Sequence, residues 1–282
     1  MRKRYAAALA CVCVLGIGGC GKDQETLEQQ MTLRSQGMDQ ALSGDYESAI
    51  ASYNEALSLA GMRAGNLELD IASYKAAAQY HAGDLQGAAD TCTAVLDLKK
   101  SAEMYLTRGL IYKASGDTEA ANADFQATKD MTSSKDLITL GRLSYYMEDY
   151  NGAKDYLEQA YENGEQESLY WQGELYWQMG NKDYAVTLYQ SYLEEHTDHP
   201  DIYAKVASYQ MDQGDYESAL SVIQDGIALG DSESLQELLS YEIAVYEQMG
   251  DFATAKVKME SYLESYPDDE SAAREYVFLK TR

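Results

Sequence analysis

Seven copies of one short pattern limit what this chain can fold into. The stretch Gly214–Leu220 reads Gly-Asp-Tyr-Glu-Ser-Ala-Leu, and Gly44–Ile50 reads Gly-Asp-Tyr-Glu-Ser-Ala-Ile. Weaker copies start at Gly83, Gly116, Glu148, Gly180 and Gly250. The starts are 39, 33, 32, 32, 34 and 36 residues apart. A recurrence of about 34 residues predicts stacked helix–turn–helix units, none of which can bury its apolar face alone.

Counting from the first residue of each copy gives every position a physical meaning. Position zero is glycine in six copies of seven, which suits a left-handed residue ending a helix. Position +1 is Asp45, Asp84, Asp117, Asp149, Asn181, Asp215 or Asp251. These are N-cap residues, whose side-chain oxygen accepts from a first-turn amide. Position +5 is alanine in all seven copies, from Ala49 to Ala255. Position −7 is Gly37, Ala76, Gly109, Gly141, Gly173, Ala207 or Ile243. Glycine inside a helix costs about 1 kcal/mol against alanine, so its repeated use implies a packing need. The small residues at −7 and +5 are expected to be the contact that lets paired helices approach. Bulky residues fill +9: Tyr53, Phe125, Leu157, Tyr189, Ile223 and Met259, with Cys92 in the second copy.

This pattern resembles the tetratricopeptide repeat: small at −7, often aromatic at −4 (Tyr112, Tyr176, Tyr246), alanine at +5 and bulky at +9. The third and fifth copies match best. The second is weak, with Cys92 and Val95, and the seventh departs at Ile243. The resemblance covers residues 27–267. It implies an all-α fold, an α-solenoid of about seven helix pairs with a concave inner face. Residues 268–282 carry an apolar stripe at Ala272, Ala273, Tyr276, Val277 and Leu279, expected to form a C-terminal capping helix.

The start of the chain reads differently. Arg2, Lys3 and Arg4 precede an apolar run, Ala6–Gly18, too short for a membrane span. The run ends in Ile17-Gly18-Gly19-Cys20, which resembles a bacterial lipobox. Residues 1–19 are therefore expected to be a lipoprotein signal peptide, Cys20 the lipidated residue, and residues 20–26 the lipidated end plus a short linker. An ordinary signal peptide with an incidental cysteine is the alternative. The lipid reading places the protein outside the cytoplasm, anchored to a bacterial membrane by its acyl chains.

Removing the leader leaves 19 Lys and Arg against 47 Asp and Glu. Nucleic acid is an improbable partner for such a charge. Cys11 and Cys13 leave with the leader, so Cys92 is the one thiol besides Cys20 and no internal disulfide is expected.

No arrangement for catalysis stands out, and neither an enzyme activity nor a cofactor is expected. His196 and His199, with Asp198 and Asp201, are weak metal candidates, because nothing completes a known zinc spacing. What remains is a surface. Positions −13, −10, −6, −3 and −2 share the helix face that lines the concave side in the resembled family. In repeat four they are Lys135, Ile138, Arg142, Tyr145 and Tyr146; in repeat five, Glu167, Tyr170, Glu174, Trp177 and Gln178. The candidate partner-binding residues are Arg142, Tyr145, Tyr146, Tyr170, Glu174 and Trp177. Glu167, Glu174, Asp201, Asp212, Glu237 and Glu247 are expected to form an acidic wall favouring a partner with a basic segment. The Lys and Asn set of the family's clamp for chain-terminal carboxylates is absent. The expected function is a protein- or peptide-binding scaffold for a cell-envelope assembly; the alternative is a glycan-binding module that uses the same aromatic residues.

Overall fold

The computed structural model describes residues 24–60, 65–230 and 234–282. Within them lie fifteen α-helices and no strand. Fourteen helices form seven consecutive pairs: α1 (Gln24–Leu42) with α2 (Tyr46–Ser58), α3 (Asn66–His81) with α4 (Leu85–Leu98), and α5 (Ala102–Ser115) with α6 (Thr118–Met131). Then follow α7 (Leu137–Tyr146) with α8 (Tyr150–Glu162), and α9 (Glu167–Gln178) with α10 (Lys182–Leu193). The last pairs are α11 (Pro200–Asp212) with α12 (Tyr216–Ala228), and α13 (Leu235–Gln248) with α14 (Phe252–Ser265). A single helix, α15 (Glu270–Leu279), closes the chain. The expected signal peptide and Cys20 lie outside the described residues. Gln24 and Glu25, read from sequence as linker, already belong to α1.

The chain divides into two compact units between Thr128 and Lys129, near the end of α6. The first unit has two core clusters, one built on Tyr53 and Ile71 and the other on Cys92 and Leu96. The second unit has four, following its helix pairs and α15 in chain order.

The turn chemistry follows the sequence pattern closely. Asp45, Asp84, Asp117, Asp149, Asp215 and Asp251 each accept a hydrogen bond from a backbone amide three residues on. Each such cap contributes about 1 kcal/mol. Asn181 departs: it stands at the N-cap of α10 without a side-chain cap bond. Glu148 holds φ 63°, the one non-glycine residue with positive φ among the described residues. The repeat geometry imposes the left-handed turn there although the side chain disfavours it.

The packing corrects one expectation. The +5 alanines are fully buried, none more than 1% exposed. Yet the partner of −7 is the bulky +9 residue. A Cβ placed on Gly37, Gly109, Gly141 or Gly173 would come within 2.5 Å of Tyr53, 2.6 Å of Phe125, 2.6 Å of Leu157 or 2.4 Å of Tyr189. In the other repeats −7 and +9 again share a cluster: Ala76 with Cys92, Ala207 with Ile223, and Ile243 with Met259. The largest −7 residue is thus matched with an unbranched, adaptable side chain.

This contact also sets the phase of α1. Leu27, Met31, Met38 and Leu42 recur along α1 as an apolar series, but Leu42 is 85% exposed and Met31 56%. Gln30 and Gly37 face inward instead, with Leu33 and Ala41 partly buried. Gln30 satisfies its buried amide by donating to the Ala56 carbonyl at 2.7 Å. At the other end, Asp269 caps α15 by accepting from the amides of Ser271 and Ala272, and Tyr262 donates its hydroxyl to the same carboxylate. Leu279 is buried against Ile243 and Met259, whereas Val277, read as part of the apolar stripe, is 62% exposed.

Gly141→Ala should destabilise the protein by about 1–3 kcal/mol, because its methyl would overlap Leu157. In a Leu157→Ala background the same change should be neutral or stabilising by up to about 1 kcal/mol, since alanine is the better helix former. Chemical denaturation of the four proteins checks the pairing; equal effects in both backgrounds would overturn it.

Candidate functional site

Packing Gly141 on Leu157 fixes how α7 is rotated against α8. Arg142, Tyr145 and Tyr146 are each half-buried, Tyr145 against the core that holds Leu157. Gly173 against Tyr189 does the same for α9 and presents Tyr170, Glu174 and Trp177. Two residues assigned to this face from sequence lie elsewhere. Ile138 is buried in the core with Ala153 and Leu157, and Lys135 precedes α7 as an exposed residue.

Trp171, which the sequence reading passed over, joins the cluster. Its ring lies 6.2 Å from Tyr145, 5.9 Å from Tyr146 and 5.1 Å from Tyr170, the last two edge-on. Tyr145 and Tyr146 are 5.6 Å apart. The Arg142 guanidinium sits 4.6 Å from the Trp171 ring centre, within cation–π range. A signal for Trp171 existed: it stands four residues after Glu167 and three before Glu174, on the same helical stripe. The structure does not bring Trp177 into this group. Its neighbours are the Tyr189 ring at 6.3 Å and the Lys182 ammonium at 4.9 Å.

The aromatic row continues from Tyr170 to Tyr192 and His199, both at 5.8 Å. Tyr192 organises both histidines. His196 stacks on its ring at 4.4 Å with an interplanar angle of 4°, and its hydroxyl lies 2.9 Å from His199 Nε2. The nearest carboxylate oxygens to His199 are those of Asp198 at 3.9 Å and Asp201 at 4.0 Å. Among the described residues no group of three or more His, Cys, Asp or Glu is placed to hold a metal ion.

Glu174 overturns part of the expected acidic wall. Its Oε1 accepts from the Tyr189 hydroxyl at 2.7 Å and is ion-paired with Lys205, a residue the sequence reading did not use. Glu174 is therefore an internal link between α9, α10 and α11, with its charge already matched. Asp201 accepts from the Tyr170 hydroxyl at 3.4 Å, and Glu237 from that of Tyr241 at 2.6 Å. Burial, and then the Glu275 charge, raise the pKa of Glu247.

The phenols are held protonated. Burial first, then the Glu174 charge, push Tyr145 up to about 12. The same causes in the same order raise Tyr170 and Tyr189, and the Glu174 hydrogen bond adds to the effect at Tyr189. At neutral pH this surface thus offers neutral hydroxyl donors, aromatic faces and one guanidinium.

Comparison with known proteins agrees with this architecture. Family models described as tetratricopeptide repeat match residues 35–103 and 138–200, residues 102–127, and residues 240–269, about two thirds of the chain together. The chain is similar to a crystal structure of a tetratricopeptide repeat protein from Parabacteroides merdae, at 18% identity and TM-score 0.53, covering 90% of this chain and all of that one. It is also similar to yeast Tom70, at 14% identity and TM-score 0.71, covering 92% of this chain and 55% of that one. The APC/C hetero-tetramer Cut9–Hcn1 is similar at 11% identity and TM-score 0.52, with 83% and 52% covered. No curated protein matches the sequence.

Because folding raises these phenol pKa values above the unfolded value of about 10, their stabilisation is complete below pH 10 and drains away as the pH climbs toward 12. Tyr189→Phe should cost about 1–3 kcal/mol at pH 7, through loss of the bond to Glu174. It should also make the alkaline loss of stability shallower. Denaturation between pH 7 and 11 checks both; an unchanged alkaline slope would show that Tyr189 is not among the groups responsible.

Proposed function

Because the chain belongs to the tetratricopeptide repeat family, whose members bind protein or peptide partners, we propose that it is a lipid-anchored scaffold. In this reading it works outside the cytoplasm of a bacterium and binds a protein or peptide segment of a cell-envelope assembly. The observation that carries the binding reading is the Trp171 cluster. Tyr145, Tyr146, Tyr170 and Trp171 gather half-buried aromatic area with fixed rings, the residue types that anchor interfaces at low entropic cost. The anchor reading rests on the cysteine that ends the apolar leader in Ile17-Gly18-Gly19-Cys20. No described helix is long and apolar enough to cross a membrane, so membrane attachment in this reading depends on the lipid at Cys20.

Cys20→Ser should abolish fatty-acid labelling of the protein in growing cells and release it from the membrane fraction. Persistent labelling would defeat the anchor. For the surface, photo-crosslinking in intact cells followed by binding measurements on what is captured should show Trp171→Ala weakening affinity by about 2 kcal/mol or more. Capture of wall polymer in place of protein would move the function to glycan recognition.

A further inference from the structure

Carboxylates outnumber cations in this chain by 47 to 22, so a half-buried arginine without one is an exception that calls for a cause. Arg34 pairs with Asp70, and Arg108 donates two hydrogen bonds to Asp124 at 2.7 and 2.8 Å. Among the lysines, Lys205 pairs with Glu174, and Lys258 with Glu242 at 2.8 Å. Arg142 has no hydrogen bond or ion pair among the described residues. Its Nε is closed off from solvent and finds no acceptor. Its guanidinium lies 4.6 Å from the Trp171 ring centre.

The neighbours cannot neutralise it. Tyr145 and Tyr146 are phenols, and Tyr145 remains protonated well past neutral pH. Glu174, at the corresponding position of the next repeat, is taken up by Lys205 and Tyr189. The closed-off Nε is beyond a partner's reach, but the terminal nitrogens of a planar guanidinium placed beside an indole can make a two-point bond with a carboxylate.

We propose that Arg142 is the receptor for an acidic side chain, an Asp or Glu within a partner peptide, whose apolar neighbours pack on Tyr145, Tyr146 and Trp171. This rests on the peptide-binding reading above and reverses the charge expected of the partner. The expectation of a basic segment rested on an acidic wall of six residues from Glu167 to Glu247, of which Glu174 is matched internally. With Glu174 matched internally, Arg142 is a cation at this cluster that no carboxylate answers, while Glu167 accepts from the Trp171 indole nitrogen at 3.4 Å. One guanidinium answers one carboxylate, which fits a side chain inside a segment; the multi-residue set needed to grip a chain terminus is absent.

The test uses fluorescein-labelled nonapeptides with acetylated and amidated ends. The central residue is Glu, Gln or Lys, flanked on each side by Leu and Tyr, and a fourth peptide has the Gln centre with a free C-terminal carboxylate. Binding is read by fluorescence anisotropy at low and high salt. The Glu peptide should bind wild-type protein about tenfold tighter than the Gln peptide, with the difference shrinking in salt. Arg142→Gln should erase that preference while leaving circular dichroism and thermal midpoint unchanged, and Arg142→Lys should keep part of it. Equal binding of Glu and Gln peptides, or preference for Lys, would overturn the acidic-residue proposal yet leave the peptide surface standing. A free carboxylate matching the Glu peptide would overturn it in favour of a chain terminus. Binding of none of the four would defeat both readings.

Discussion

Each repeat depends on one steric contact, a small residue at −7 of the first helix against a bulky one at +9 of the second. Where −7 is glycine, the partner ring or branch occupies the space that a Cβ would need. Interiors are packed to crystal-like density, so removing a methyl on one helix must be answered by volume on the other. The same two positions meet in the second and seventh repeats, as Ala76 with Cys92 and Ile243 with Met259.

Because that contact fixes how each first helix is rotated, it also decides where that helix's remaining side chains stand. With Gly141 locked on Leu157 and Gly173 on Tyr189, Tyr145 and Tyr146 of α7 and Tyr170 of α9 come together around Trp171. The aromatic cluster is thus a by-product of core packing. Tyr189 belongs to both: its ring fills the space left by Gly173, and its hydroxyl fixes Glu174.

The charge arrangement follows a similar economy. In so acidic a protein, the local question is which charges are already answered within the fold. Pairs such as Arg108 with Asp124 and Lys258 with Glu242 tie the two helices of a repeat together. Lys205 with Glu174 links successive repeats. Arg142 answers none of these and remains available at the aromatic cluster.

From the residues alone, the helical class, the seven turns, six side-chain caps and the buried alanines were legible, because each is set by local chemistry recurring in register. So were Arg142, Tyr145, Tyr146 and Tyr170 as a shared surface, since helical spacing places them there. Tertiary structure decided what contacts across helices alone can fix. Trp171 joins the cluster and Trp177 pairs with Tyr189; Leu42 faces solvent while Gln30 is buried. Glu174 is consumed by Lys205, thirty-one residues away along the chain. A periodic sequence states which residues lie on one stripe, but the neighbouring helix determines which of them touch and which charge is left over.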